Sequence, residues 1–308
     1  MNNPLLHGIA SLGRIGLDIC ALITEKKRLF EDYLQDYLAG INTTSGIFDA
    51  FSYSLSAGGK RIRPILTMLA CETLGGNAMQ ALPAGLAIEM IHTFSLIHDD
   101  LPALDNDSLR RGKPTCHTRF GEATAILAGD ALIFQALTVI SSSGYPAEVE
   151  VDILRVIADV CGIDGLVQGE YLDVMAEGKD LTLKEIADIY RKKTSRLFEL
   201  CMYSGARIAT EDTQKINSLM KYGAHLGLAF QAIDDILDVT STDGVLGKTS
   251  GKDLLQDKAT VVKALGLEGA RLWAGEMTNI ATKSIAEIRD KRSTVLEELA
   301  QWMVQRVM

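Results

Sequence analysis

Two aspartate clusters, each closing an apolar helix-like segment, limit what this chain can become. Asp99-Asp100-Leu-Pro-Ala-Leu-Asp105 follows Leu86–His98, and Asp234-Asp235-Ile-Leu-Asp238 follows Leu226–Ile233. Carboxylates crowded beside buried apolar surface repel one another and resist burial unless a cation joins them. One such cluster reads equally well as a solvated helix end. Two of them, with lysines and arginines in apolar settings, point to carboxylates that gather hard divalent cations around a polyphosphate.

The rest of the chain is patterned as helix. Apolar residues recur at helical spacing, and no succession of alternating strand patterns interrupts them. Thr182-Leu-Lys-Glu185 is a capping-box pattern, in which the Thr and Glu side chains satisfy the free amides of a helix start. The helix it opens carries Ile186, Ile189, Tyr190, Leu197 and Leu200 along one stripe, and Gly75-Gly76, Gly144-Tyr-Pro146 and Gly244 punctuate others. The expectation is an all-α fold of about ten or more helices around a deep central cavity. With 308 residues, 47% hydrophobic content and only 6 prolines, and with no linker or repeat, a single domain over 1–308 is expected. Residues 1–24 form a candidate N-terminal helical extension, with Leu5, Ile9, Leu12, Ile19 and Ile23 along one side.

A net charge of −9 argues against a nucleic-acid partner. The 5 cysteines (Cys20, Cys71, Cys116, Cys161 and Cys201) show no CxxC pair and suit reduced thiols in the cytoplasm. The longest apolar run, around Ala125–Ile140, is broken by Asp130, so no transmembrane segment is expected. Nor does the N-terminus have the basic start and apolar core of a secretory signal.

Spacing says how the acids could meet. Asp234 and Asp238 are four apart and share a helical face, with Gln231 in the neighbouring sector and Leu226, Phe230, Ile233 and Leu237 on the adjoining apolar stripe. Asp99 and Asp105 are six apart, nearly opposite on an ideal helix; Pro102 between them forces a kink or bulge that could return Asp105 toward Asp99. His92, Ser95 and Asp99 share a face. Among the cations, Lys60 and Arg63 sit at i, i+3 after Gly58-Gly59, which permit close backbone approach. Arg110-Arg111 follow the first acidic cluster, and Lys248 and Lys258 follow the second. Lys193 falls on the Ile186/Ile189/Tyr190 stripe, where an unpaired cation would be expensive unless it reached out to solvent. Basic groups this numerous suit two diphosphates better than one.

At these residues the chain resembles the trans-isoprenyl diphosphate synthase family. The matching segments are Gly58-Gly-Lys-Arg-Ile-Arg-Pro64, Ser95-Leu-Ile-His-Asp-Asp-Leu-Pro102, Leu109-Arg-Arg-Gly-Lys-Pro-Thr115, Phe120-Gly-Glu-Ala and Leu127-Ala-Gly-Asp-Ala131. Lys193-Thr194, Phe230-Gln231, Asp234–Asp238 and Leu246-Gly-Lys248 continue the series in order. Each motif is weak alone; the ordered set is specific. The resemblance implies an isoprenoid synthase fold, a homodimer, and three Mg²⁺ held by Asp99, Asp105 and Asp234 with support from Asp100 and Asp238. It places the allylic diphosphate on Arg110, Lys193, Lys248 and Lys258, and isopentenyl diphosphate on Lys60, Arg63, His92 and Arg111. It gives the Thr194 and Gln231 oxygens the role of stabilising a carbocation.

Some positions depart from the family pattern. Asn106 and Ser108 stand where many relatives have Asp. Gln168-Gly-Glu170-Tyr-Leu-Asp173 replaces a segment often reading Gly-Gly-Gln with a following Asp, and Ser195 replaces Gly or Ala. The expected product is farnesyl diphosphate, because Phe94 and Ser95 stand one turn or so before Asp99, where the side chain acts as a floor to the growing chain. The alternative is geranylgeranyl diphosphate, favoured by Asp105-Asn106 and Leu246–Asp253. A non-catalytic subunit would be expected to lose an aspartate motif, and a terpene cyclase would not need a second diphosphate site.

Overall fold

The computed structural model describes residues 18–240, 258–288, 292–305 and 307. Thirteen α-helices run through the described residues: α1 (Ile19–Gly40), α2 (Gly46–Leu55), α3 (Ile62–Thr73), α4 (Ala78–Asp99), α5 (Cys116–Phe120), α6 (Glu122–Ser141), α7 (Ala147–Cys161), α8 (Leu166–Ala176), α9 (Leu183–Tyr190), α10 (Arg196–Ala209), α11 (Thr213–Thr240), α12 (Val261–Ser284) and α13 (Thr294–Val304). Among the described residues the one small sheet pairs Leu109–Arg110 with Lys113–Pro114, antiparallel. The expected all-α class is what the chain adopts. The first seventeen residues lie outside the described part, and Ile19 and Ile23 already belong to the first turns of the long helix α1.

The buried apolar side chains form one contiguous cluster. Its centre is α4, which packs on α3, α6 and α10; α10 in turn packs on α3 and α11, and α11 on α12. A capping box made by Asn77 and Gln80 opens α4, and the Thr182–Glu185 box read from the sequence opens α9. By length and composition alone, α4 and α6 are each long and apolar enough to cross a membrane, a test that the core helix of a folded bundle also passes. The apolar side chains of α4 are mostly turned into the bundle, whereas α6 leaves Leu127 and Phe134 58% and 68% exposed.

Three local departures from ideal helix shape the functional end. First, α4 does not kink at Pro102; it stops at Asp99. The chain turns back, so that the Asp105 amide donates to the Asp99 carbonyl at 2.8 Å and the Asp107 amide to the Asp100 carbonyl at 3.1 Å. Proline cannot continue the ladder and disfavours helix in the residue before it, and this tight turn is the alternative. Second, Lys60 and Arg63 do not share a helix. Gly58, Gly59 and Arg61 have φ of 82°, 124° and 52°, and α3 begins only at Ile62. Third, the single helix expected from Thr182 to Leu200 is broken by a π-helical turn at Arg191–Ser195, between α9 and α10.

Candidate active site

The first acidic turn is already knitted to cations. Arg110 donates to the Asp100 carboxylate through Nε at 2.9 Å and also through Nη2, and reaches Asp107 at 3.2 Å. Lys258, 153 residues further along the chain, reaches Asp105 Oδ1 at 3.0 Å. Asp99 has its backbone carbonyl taken by Asp105 and a half-buried side chain. Burial, with Glu170 and Asp105 adding to it and Lys193 and Arg110 opposing it, holds the Asp99 carboxyl well above the usual range.

Lys193 lies in the π turn and does not reach out to solvent. Its ammonium bonds Asp173 at 2.6 Å and Glu170 at 2.8 Å, both on α8. Burial works against the charged form, but Asp99, Asp173 and Glu170 together outweigh it and hold the Lys193 pKa well above its ordinary value. Glycine at two positions makes the turn possible. A Cβ on Gly169 would stand 2.2 Å from the Lys193 amide nitrogen, and one on Gly227 would stand 2.5 Å from the Ser195 Cα. Glu170, whose place in the sequence pattern was a departure, thus becomes one of two carboxylates gripping the same lysine.

The second acidic cluster divides by direction. Asp234 is half-buried, while Asp235 and Asp238 are buried, 3% and 2% exposed. Asp235 belongs to a hydrogen-bonded chain beneath the π turn. Thr194 Oγ1 donates to Gln231 Oε1 at 2.8 Å, Gln231 Nε2 donates to Asp235 Oδ1 at 3.1 Å, and the Tyr190 hydroxyl donates to Asp235 Oδ2. The Val261 amide donates to both the Tyr190 hydroxyl and Asp235 Oδ2, at 3.0 and 3.2 Å. Thr194 and Gln231 are therefore held together by a largely buried network that also anchors the start of α12, three residues after Lys258.

The remaining cations rest on aromatic rings and backbone. Lys60 Nζ lies 5.9 Å from the Phe230 ring centroid and Arg63 Cζ 5.4 Å from that of Phe198, with those rings 5.2 Å apart. Arg111 donates to the Gly58 carbonyl, and a Cβ on Gly59 would stand 2.5 Å from its guanidinium carbon. The glycine pair thus serves the close approach of Arg111. Among the described residues no carboxylate pairs directly with Arg63 or Arg111, and both guanidinium pKa values are lowered, chiefly by burial. Burial first, and then Arg63, Arg111, Arg110 and Arg61, push His92 well below its ordinary value, so its imidazole is neutral. A narrow cleft opens beside Arg110 and Arg111, between Tyr53 of α2 and Thr93 and Leu96 of α4, with Asp100 just past the end of that helix.

Phe94 is buried, with its ring edge-on to His98 at 5.8 Å between centroids, and His98 lies within hydrogen-bond reach of the Ile126 carbonyl on α6. Ser95 donates to the His92 carbonyl at 2.9 Å. Lys248 lies outside the described residues. Sequence reasoning missed Arg61, which stands between Lys60 and Arg63 in the chain and pairs with buried Glu89 and half-buried Glu31. It also missed Tyr190 and Asp235 as partners of Gln231. A buried basic residue between two needed ones, and an acidic residue three before His92, were the only signals available.

The chain matches the family model described as polyprenyl synthetase over residues 45–299. It is 43% identical to the geranylgeranyl diphosphate synthase of Cyanophora paradoxa over 292 residues, 94% of this chain and 97% of that protein. It is 44% identical to the farnesyl diphosphate synthase of Micrococcus luteus over 260 residues, 83% and 89% of the two. The crystal structure of Helicobacter pylori geranyltransferase complexed with magnesium and isoprenyl diphosphate superposes with a TM-score of 0.83 at 28% identity, covering 96% of this chain and 99% of that one. A shared helical architecture, the ordered motifs and matches across nearly the whole length lead to one conclusion: the chain belongs to the polyprenyl synthetase family.

Proposed function

We propose that this short-chain prenyltransferase condenses isopentenyl diphosphate with dimethylallyl and geranyl diphosphates to give farnesyl diphosphate, as one catalytic domain. The observation that carries this reading is the division of the cations. Arg110, Lys193 and Lys258 are interleaved with carboxylates of the acidic turn and α8. Lys60 and Arg63, set over the Phe230 and Phe198 rings, form a second basic group with Arg111 and His92, on both of which the charge of Arg63 acts. Two diphosphates call for two such groups, whereas a cyclase that ionises one substrate needs only the first.

The donor set fits Mg²⁺. Asp99, Asp105 and Asp234 offer hard oxygens, and the Asp99 carboxyl sits in a crowd of negative charge. Among the described residues no three acidic, His or Cys side chains stand ready as a complete metal site. That suits Mg²⁺, which takes one or two carboxylates and completes its shell with substrate phosphates and water. Asp99, Asp105 and Asp234 would hold it, with Asp100 and Asp238 in support. Bound Mg²⁺, three per site by the family resemblance, would neutralise the charge that grows on the leaving diphosphate.

The chain's own groups do the rest. Lys193, Arg110 and Lys258 turn from their carboxylates to the allylic diphosphate and, together with Lys248, stabilise its departure. Lys60, Arg63 and Arg111, with neutral His92, orient isopentenyl diphosphate so that its double bond meets the allylic carbon. The Thr194 hydroxyl and Gln231 amide oxygens, fixed by the Asp235 network, lie toward the developing carbocation. Proton loss to the departing diphosphate completes the step. Apolar walls keep water from quenching the cation.

Phe94 is the proposed floor to chain growth, with Ser95 beside it. Geranylgeranyl diphosphate is the second reading, supported by relatives of both kinds at similar identity and by Asp105-Asn106. Chromatography of products from labelled isopentenyl diphosphate and each allylic starter tests both. Farnesyl diphosphate should dominate in the wild type, and Phe94→Ala should lengthen the main product. An unchanged product profile removes the floor.

The exposed apolar side chains of α6, Ile126, Leu127 and Phe134, with Val151 on α7, support a homodimer through these helices. All five cysteines are free thiols, which suits a reducing compartment, the cytoplasm.

A further inference from the structure

Arg61 heads the largest side chains withdrawn from solvent and occupies the left-handed backbone region that non-glycine residues avoid. What holds it there is its guanidinium. Nε donates to Glu31 at 2.8 Å, Nη1 to Glu89 at 2.7 Å and Nη2 to the Leu55 carbonyl at 2.8 Å. One side chain thus ties the start of α3 to α1, α2 and α4. Lys60 precedes this pinned residue and Arg63 lies in the first turn after it, so the anchor fixes the backbone from which both cations project.

The two acidic partners are not equivalent. The Glu31 side chain is 28% exposed and, among the described residues, pairs with Arg61. Glu89 is 1% exposed and stands three residues before His92 on α4. Its charge also acts on Arg63 and Arg111, neither of which has a direct carboxylate partner among the described residues. Arg61, Arg63, Arg110 and Arg111 crowd one neutral histidine. Four guanidiniums do not stay together without a counter-charge, and water cannot screen them once buried.

We infer that Glu89 is a positioning residue for the isopentenyl diphosphate subsite. Through Arg61 it sets the backbone that carries Lys60 and Arg63, and as a buried carboxylate it lets Arg63 and Arg111 remain close before the anion arrives. The inference rests on the assignment of that subsite under the proposed function. Glu89 touches no substrate; it acts through the arginines.

Steady-state kinetics of the wild type, Glu89→Gln and Glu31→Gln test it. Glu89→Gln should raise KM for isopentenyl diphosphate about tenfold, the lower end of what a lost supporting partner costs a ligand site. KM for the allylic substrate should stay within about twofold, and Glu31→Gln should leave both KM values within about twofold. An unchanged or lowered KM in Glu89→Gln overturns the inference, as does an equal rise for both substrates. An equal effect of Glu31→Gln overturns it too, because Arg61 would then be only a structural buttress. Should Glu89→Gln fail to fold, Arg61→Met with Glu89→Gln removes both charges of the pair and leaves neither buried alone. The same selective rise is expected there, and its absence is equally decisive. A wild type that does not condense isopentenyl diphosphate brings down the functional proposal itself, which no result on Glu89 alone could do.

Discussion

The acidic turn and the arginine pocket solve opposite electrostatic problems a few residues apart. Around Asp99–Asp107 each cation is matched to carboxylates: Arg110 to Asp100 and Asp107, Lys258 to Asp105, Lys193 to Glu170 and Asp173. Around Arg63 and Arg111 the balance is reversed. These guanidiniums lean on a ring and a carbonyl; burial lowers both pKa values, and for Arg111 the neighbouring Arg61, Arg110 and Arg63 add to it. A ligand entering the first region has to exchange partners with groups already satisfied. A ligand entering the second supplies what is missing. The lesson is that a count of charges says less about a site than which charges are already engaged.

The comparison breaks most visibly on the acidic side. Asp99→Ala or Asp234→Ala should lower kcat by about a thousandfold or more while circular dichroism remains helical, since charge stabilisation at the leaving group is lost and no core packing is. Near-normal Mg²⁺-dependent turnover in both variants would remove these aspartates from the mechanism. A smaller effect separates the two cation groups. Arg63→Ala should raise KM for isopentenyl diphosphate about thirtyfold, the low end of truncating a buried charged contact. Lys258→Ala should change KM for the allylic substrate only about threefold, because Asp105 already satisfies much of that lysine. Equal effects would mean that prior pairing makes no difference.

The smallest effect is on pH dependence. The folded-state pKa of His92 lies well below 6.5, so as pH falls through 6.5 the unfolded chain takes up a proton that the folded one refuses. Stability contributed by this group is full above that pH and is lost below it, by at most about 1.4 kcal/mol per pH unit. Urea unfolding at pH 7.5 and pH 5.5 should therefore show a shallower acid loss in His92→Gln than in the wild type. Identical losses would place the histidine outside the arginine field.

Much of the fold was legible because apolar periodicity, capping boxes and the lack of strand alternation agree. The return of Asp105 toward Asp99 was legible in outline from Pro102, although proline ended the helix where a kink was expected. What could not be read was pairing across long separations. Lys193 meets Glu170 and Asp173 only because α8 packs beside the π turn, and nothing in the local sequence declares that contact. Arg61 was hidden in a different way. Left-handed backbone is signalled by Gly or Asn, so an arginine held there by two distant glutamates leaves no local trace. Asp235 looked like one more acid in a row, and only its partners Tyr190, Gln231 and Val261 separate it from Asp234.

The π turn at Arg191–Ser195 has one more consequence. An α-helix advances about 100° per residue, so a turn with one residue too many re-phases everything downstream by about that angle. The azimuth of α10 on its neighbours and the aim of Lys193 at α8 are therefore set by a residue count. Shortening Arg191–Ser195 by one position, with every side chain of the site retained, would rotate the lysine away from Glu170 and Asp173 or twist α10 out of its seat on α3. Here the chain measures as well as reacts: the spacing is a gauge, and any insertion or deletion across it would be read at the far end of the helix.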